Sequence, residues 1–95
     1  MVMRSKGLVK LAEESGEVVQ VACKFMQYPE LQSPEASEKG WLHPDGTDLR
    51  ARLVEEMGDV LAAIEFVTGR LGLSRSAISD RMAFKFALFE KWDRE

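Results

Sequence analysis

Apolar residues recur at three- and four-residue steps along most of the chain, which is the spacing of one face of an α-helix. From about Met3 to Met26 the stripe is Leu8, Leu11, Ala12, Ser15, Val18, Val19, Ala22, Phe25 and Met26, and it predicts a first long helix. Tyr28-Pro29 ends that helix, because proline has no amide hydrogen and disfavours helical geometry in the residue before it. The stretch PELQSPEASEKGWLHPDGTD holds all three prolines and reads as a long connection. Within it, Ser33-Pro34-Glu35 is a helix-start signal and predicts one short helical turn. Thr47 or Asp48 then caps a second long helix, with Leu49, Leu53, Met57, Val60, Leu61, Ile64, Val67 and Leu71 on one side and Gly72 suited to its C-terminal end. Ser74 caps a third, running to about Trp92. No stretch alternates at period two, so no sheet is expected. The expected fold is all-α: one domain over residues 1–95, an antiparallel helical bundle of three long helices and a short one, completed by oligomerisation.

The third helix motivates that last clause. Ile78, Met82, Phe84, Phe86, Leu88, Phe89 and Trp92 point in nearly every direction around its axis. A helix apolar all round needs partners on more than one side. Two other helices cannot cover it, so a homodimer or homotetramer is expected.

Composition narrows the function classes. The 95 residues are 45% hydrophobic and 31% charged. That is too apolar for disorder and too charged for a membrane protein. No apolar run approaches the roughly 20 residues that span a bilayer. The net charge of −3 and the lack of a basic arm argue against binding a nucleic-acid polymer through its phosphates. The start, MVMRSKG, has no signal-peptide core, so a cytoplasmic protein is expected. The single cysteine, Cys23, cannot form an intrachain disulfide and reads as a packing residue rather than a nucleophile. The single histidine, His43, cannot build a His-rich metal site. Any bound metal must therefore be held mainly by carboxylates.

Those carboxylates are patterned. Residues 13–18 read EESGEV and residues 55–60 read EEMGDV, each in the middle of an expected helix. Glu14 and Glu17 project about 60° apart around the helix axis, as do Glu56 and Asp59, so each pair flanks its apolar stripe. Antiparallel packing of the two helices brings four carboxylates together. Four carboxylates at close range repel, and burial raises the cost. A hard divalent cation removes it, because Mg²⁺, with Mn²⁺ as a substitute, prefers oxygen ligands and shares its open positions with phosphates. Gly16 and Gly58 each cost about 1 kcal/mol against alanine, which calls for close helix approach or room beside a site. Acidic helix faces are most often solvated surface, and one E-x-x-E says almost nothing. The doubled copy carries the reading.

In these residues the chain resembles the all-α nucleoside triphosphate pyrophosphohydrolases of the MazG-like superfamily, whose signature is an E-x-x-E on one helix and an E-x-x-D on the next. The words KLAEESGEVVQ and LVEEMGDVLAAI and the helix order carry the resemblance, which runs from about Lys10 to Lys91. It implies Mg²⁺ held by Glu14, Glu17, Glu56 and Asp59, and a nucleoside triphosphate cut between its α and β phosphates to a monophosphate and pyrophosphate, in nucleotide-pool housekeeping. The water-activating base is then a carboxylate of the first cluster, Glu13 or Glu14, with Glu55 as a further supporting acid. The family's last helix carries a lysine and, three positions on, an arginine. Lys85 fits the first place, Leu88 occupies the second, and Arg81 or Lys91 stands a turn away as a substitute. Taken alone, Lys85 is equally a charge snorkelling from an aromatic helix. In the connection, Trp41 can stack on a base, and His43 or Asp45 can read its edge or close a lid; more often a loop tryptophan pins its loop to the helices. Two other readings stand beside this one: a phosphoribosyl-ATP pyrophosphohydrolase, and a non-enzymatic helical interaction module with surface acids. A di-iron bundle is weaker, since it needs E-x-x-H pairs.

Overall fold

The computed structural model describes residues 6–35 and 45–95. They form three α-helices, α1 (Lys6–Met26), α2 (Leu49–Leu71) and α3 (Arg75–Arg94), and a 3-10 turn at Pro29–Leu31. No strand occurs among the described residues, and no described helix is long and apolar enough to cross a membrane.

The caps lie where short polar side chains and glycine dictate. The Asp48 carboxylate accepts from the amides of Arg50 and Ala51, each at 3.1 Å, and opens α2. Gly72 closes it at φ 62°, donating to the Gly69 carbonyl while Leu73 donates to that of Thr68. This Schellman arrangement requires a left-handed residue. Ser74 Oγ accepts from the Ala77 amide and opens α3. A 3-10 turn follows Tyr28 directly, and 3-10 geometry also occurs at Pro34 and Glu35, on the Ser33-Pro34-Glu35 signal. Arg50 holds the turn against α2 by donating to the carbonyls of Leu31 (2.8 Å) and Ser33 (3.0 Å).

α1 and α2 pack antiparallel. Gly7 at the start of α1 lies against Phe66 and Val67 near the end of α2, and Phe25 at the far end of α1 shares a cavity with Arg50 and Leu53. Among the buried and half-buried positions, Gly7, Leu11, Glu14, Val18, Val21 and Phe25 form a regular series on α1, and Leu49, Leu53, Glu56, Val60, Ala63 and Val67 form one on α2, with Glu17, Ala22, Lys24, Arg50 and Thr68 beside them. Both series step alternately by four and three residues, the seam spacing of a coiled-coil pair. Each has a glutamate in its middle.

That seam corrects the expected stripes. Leu8, Val19 and Met26 are exposed on α1, as are Met57, Leu61, Ile64 and Leu71 on α2. Gly7, Val21, Ala63 and Thr68 are buried instead. A helical stripe is at least 100° wide, and only contact with a second helix decides which edge of it becomes the seam. The carboxylate pairs do not merely flank it, since Glu14 and Glu56 lie in it. Thr68 is satisfied by donating to the Ile64 carbonyl at 2.7 Å.

α3 stands apart. It is tied at its start by the Arg75–Glu65 ion pair, yet none of its residues is buried. The radius of gyration is 16.3 Å, against about 13 Å for a compact domain of this length. Within the chain the packed unit is the α1/α2 hairpin.

Candidate metal centre

Half-way along the hairpin, one carboxylate oxygen from each of Glu14, Glu17, Glu56 and Asp59 lies within 4.8 Å of all the others. Glu14 and Glu56 enter from the seam. Glu17 and Asp59, one turn further along their helices, complete the group because the helices run in opposite directions. The sequence thus named all four, and the structure brings all four together.

The surroundings of Glu56 are the most demanding. It is 1% exposed; one oxygen accepts from Arg52 Nη2 at 2.8 Å, and the other, Oε2, has no hydrogen-bond partner among the described residues. Oε2 of half-buried Glu14 is likewise buried without a partner. Buried acceptors are normally satisfied, so two orphaned carboxylate oxygens in one cluster mark a place for a proton or a cation. Electrostatics agrees. A proton on Glu56 would be shared with the Glu17 carboxylate, which raises the Glu56 carboxyl above the ordinary glutamate range; burial adds to it, and the Arg52 guanidinium opposes. Burial raises Glu14, followed by the charges of Glu17 and Asp59, with Lys10 opposing. Four carboxylate oxygens, with Asp59 on the open side, fit a hard divalent cation by donor chemistry.

The other expected residues divide. Glu13 is outside the cluster and pairs with Lys10 at 3.2 Å on the exposed side of α1. Glu55 pairs with Arg52 Nη1 at 3.4 Å. Lys85 extends over the rings of Phe89 and Trp92, and Arg81 over that of Phe84. Neither lines the cavity beside the carboxylates. Asp45 lies 3.8 Å from Lys24, at the far end of α1. Cys23 is exposed and does not pack within the chain. Trp41 and His43 lie outside the described residues. Gly16 and Gly58 allow no close approach, since a Cβ on either meets nothing within 4 Å. The close approach is at Gly7, where a Cβ would stand 2.7 Å from Phe66 Cδ1.

Two cations went unnoticed in the sequence. Lys10 precedes Glu14 by four residues and Arg52 precedes Glu56 by four, so the internal echo extends to KLAEESGEV and RLVEEMGDV. The i, i+4 spacing places each basic residue beside its acid. Arg52 turns onto Glu56, whereas Lys10 borders a cavity of about 440 Å³ with Lys6, Glu14, Asp59, Ala63 and Phe66 among its walls. A second cavity of about 470 Å³ on the far side is mainly apolar, between Val18, Phe25, Leu53 and Met57. No protein-family model, curated protein or solved structure matches the chain.

Proposed function

We propose that the chain is a Mg²⁺-dependent nucleoside triphosphate pyrophosphohydrolase of MazG-like type, with Mn²⁺ as a substitute ion. It cleaves the α–β phosphoanhydride of a nucleoside or deoxynucleoside triphosphate to a monophosphate and pyrophosphate. The observation that supports this most is the convergence of Glu14, Glu17, Glu56 and Asp59 with two of their buried oxygens unpartnered. The resemblance of EESGEV and EEMGDV to that family supplies the reaction class.

Glu14, Glu17, Glu56 and Asp59 would hold the ion, and Arg52 keeps Glu56 in place from the opposite side. When bound, Mg²⁺ supplies charge neutralisation at the phosphates and helps activate the attacking water. Between the two candidate bases, Glu14 lines the cavity while Glu13 is turned outward onto Lys10. That position on the cavity wall favours Glu14. The working form is a homodimer or homotetramer. The accessible surface is 7620 Å², against about 5500 Å² for a compact monomer of this mass. Exposed large apolar side chains occur on all three helices, on α3 Ile78, Met82, Phe84, Phe86, Phe89 and Trp92, and a partner copy is the cover that meets them.

The test is a hydrolysis panel of common NTPs and dNTPs with Mg²⁺, wild type beside Asp59→Asn. Monophosphate plus pyrophosphate, reduced about 100-fold or more in the variant, is the expected result, since even outer partners of metal ligands are worth about 10–100-fold. Diphosphate plus phosphate would reject α–β cleavage. Absence of both turnover and stabilisation by Mg²⁺ would favour the helical interaction module, with α3 as its surface.

A further inference from the structure

We propose that Lys6 and Lys10 hold the phosphate chain of the substrate, in the cavity of about 440 Å³ beside the carboxylates. This inference rests on the pyrophosphohydrolase reading and assigns its anion-binding residues to α1, in place of the last-helix cations that the resemblance implies.

Lys6, Lys10 and Glu14 follow one another at four-residue steps, so they share one face of α1 and are spaced about 6 Å apart along its axis. All three line the same cavity, with Asp59 opposite. Gly7 sets the geometry, because its missing side chain lets the first turn of α1 close onto Phe66 and Val67. Lys6 and Lys10 thus line one end of the cavity, and Glu14 and Asp59 the other; Lys10 reaches a ligand there by exchanging its exposed pairing with Glu13. A simple anion is repelled by Glu14 and Asp59, and a simple cation by the lysines. A divalent cation carrying a row of phosphates satisfies both ends. The independent sign of a ligand is Glu56, 1% exposed with its Oε2 unpartnered in the adjoining cluster. The two halves of the internal echo then divide the work. Arg52 is engaged with Glu56 at 2.8 Å, while its counterpart Lys10 has only an exposed pairing with Glu13, an interaction of little strength and easily exchanged. Lys6 has no ion pair among the described residues. Lys85 and Arg81 lie over aromatic rings of their own helix and are not in this cavity.

The experiment is titration calorimetry on the full chain with two probes, Mn²⁺ alone and the Mn²⁺ complex of inorganic tripolyphosphate, which tests phosphate binding apart from any base. The proteins are wild type, Lys6→Ala, Lys10→Ala, the double variant, Lys10→Arg, and Lys24→Ala as a control of equal charge change. Thermal unfolding by circular dichroism confirms that each is folded. The expected result is tripolyphosphate affinity about tenfold weaker for each single variant and about 100-fold weaker for the double, as for loss of charge-assisted hydrogen bonds. Lys10→Arg retains most of the affinity, and Lys24→Ala all of it. Mn²⁺ alone binds Lys10→Ala as tightly as wild type or more so, because a positive charge beside the ion has been removed, and a merely structural role does not produce that split. Unchanged tripolyphosphate affinity in the double variant, with Mn²⁺ binding intact, overturns this inference and leaves the metal reading standing. Failure of wild type to bind Mn²⁺ overturns the metal reading and this inference with it.

Discussion

Gly16 and Gly58 stand between the members of each carboxylate pair, in mid-helix and exposed. The perturbation is Gly→Ala at each. In a helix interior glycine is about 0.8–1.0 kcal/mol less favourable than alanine, mostly because the unfolded chain is freer. Against this gain stands whatever the new methyl group strikes, and at both positions a Cβ meets no atom within 4 Å. Each substitution therefore stabilises the chain by about 1 kcal/mol, and the pair by about 2 kcal/mol, since two methyls without neighbours do not couple. In a domain of this size 1 kcal/mol moves Tm by about 4–8 °C, so the double variant melts roughly 10 °C higher. The assay is urea unfolding followed by circular dichroism, without divalent ions, checking that the m-value is unchanged. A loss of stability at either position would refute the reasoning, because the methyl would have struck something outside the described residues. Repeating the series at several protein concentrations then shows whether that obstacle is a second copy.

The raised carboxyls of Glu14 and Glu56 fix the sign of a pH dependence. Below the ordinary glutamate pKa both states are protonated and these groups contribute nothing; as pH rises, the unfolded chain releases its protons first and the metal-free fold loses stability until the raised folded values are passed. Wild type should thus lose stability between mildly acidic and neutral pH relative to the Glu14→Gln/Glu56→Gln variant, and a flat difference in chemical unfolding across that range would contradict it. Light scattering on the eluting protein should give the mass of two or four chains, shifted to one by Phe86→Glu with Phe89→Glu; a wild-type monomer would sink the argument from α3.

The helices, their caps and the four converging acids were legible because each depends on short-range chemistry: Asp48 and Ser74 at helix starts, Gly72 at an end, and the echo at residues 13–18 and 55–60. The seam was less so. Val21 is buried while Val19 is exposed, and hydrophobicity alone does not separate them. The choice depends on where α2 meets α1, and the positions that reveal it are Gly7, Glu14, Glu56 and Ala63, which no count of large apolar residues weights. An unbroken four-three series containing an acid at its centre locates the seam in the sequence. Lys6 and Lys10 do not stand out in the sequence because exposed lysines are ordinary on a helix. Only the cavity that joins them to Glu14 distinguishes them from Lys24, which lies on the same helix beside Asp45.

The position of Glu56 has an evolutionary consequence. Leucine there would complete a regular apolar seam and remove a buried charge, so selection for a sturdy hairpin alone would erase the glutamate. A buried acid with only one of its oxygens satisfied costs the hairpin stability, so if the proposed activity were lost, substitution would be expected here first. A descendant freed from its task would keep Asp48, Gly72 and Ser74, which the helices need, and exchange Glu14 and Glu56 for aliphatic side chains. The same fold would then persist as a quieter and more heat-resistant molecule.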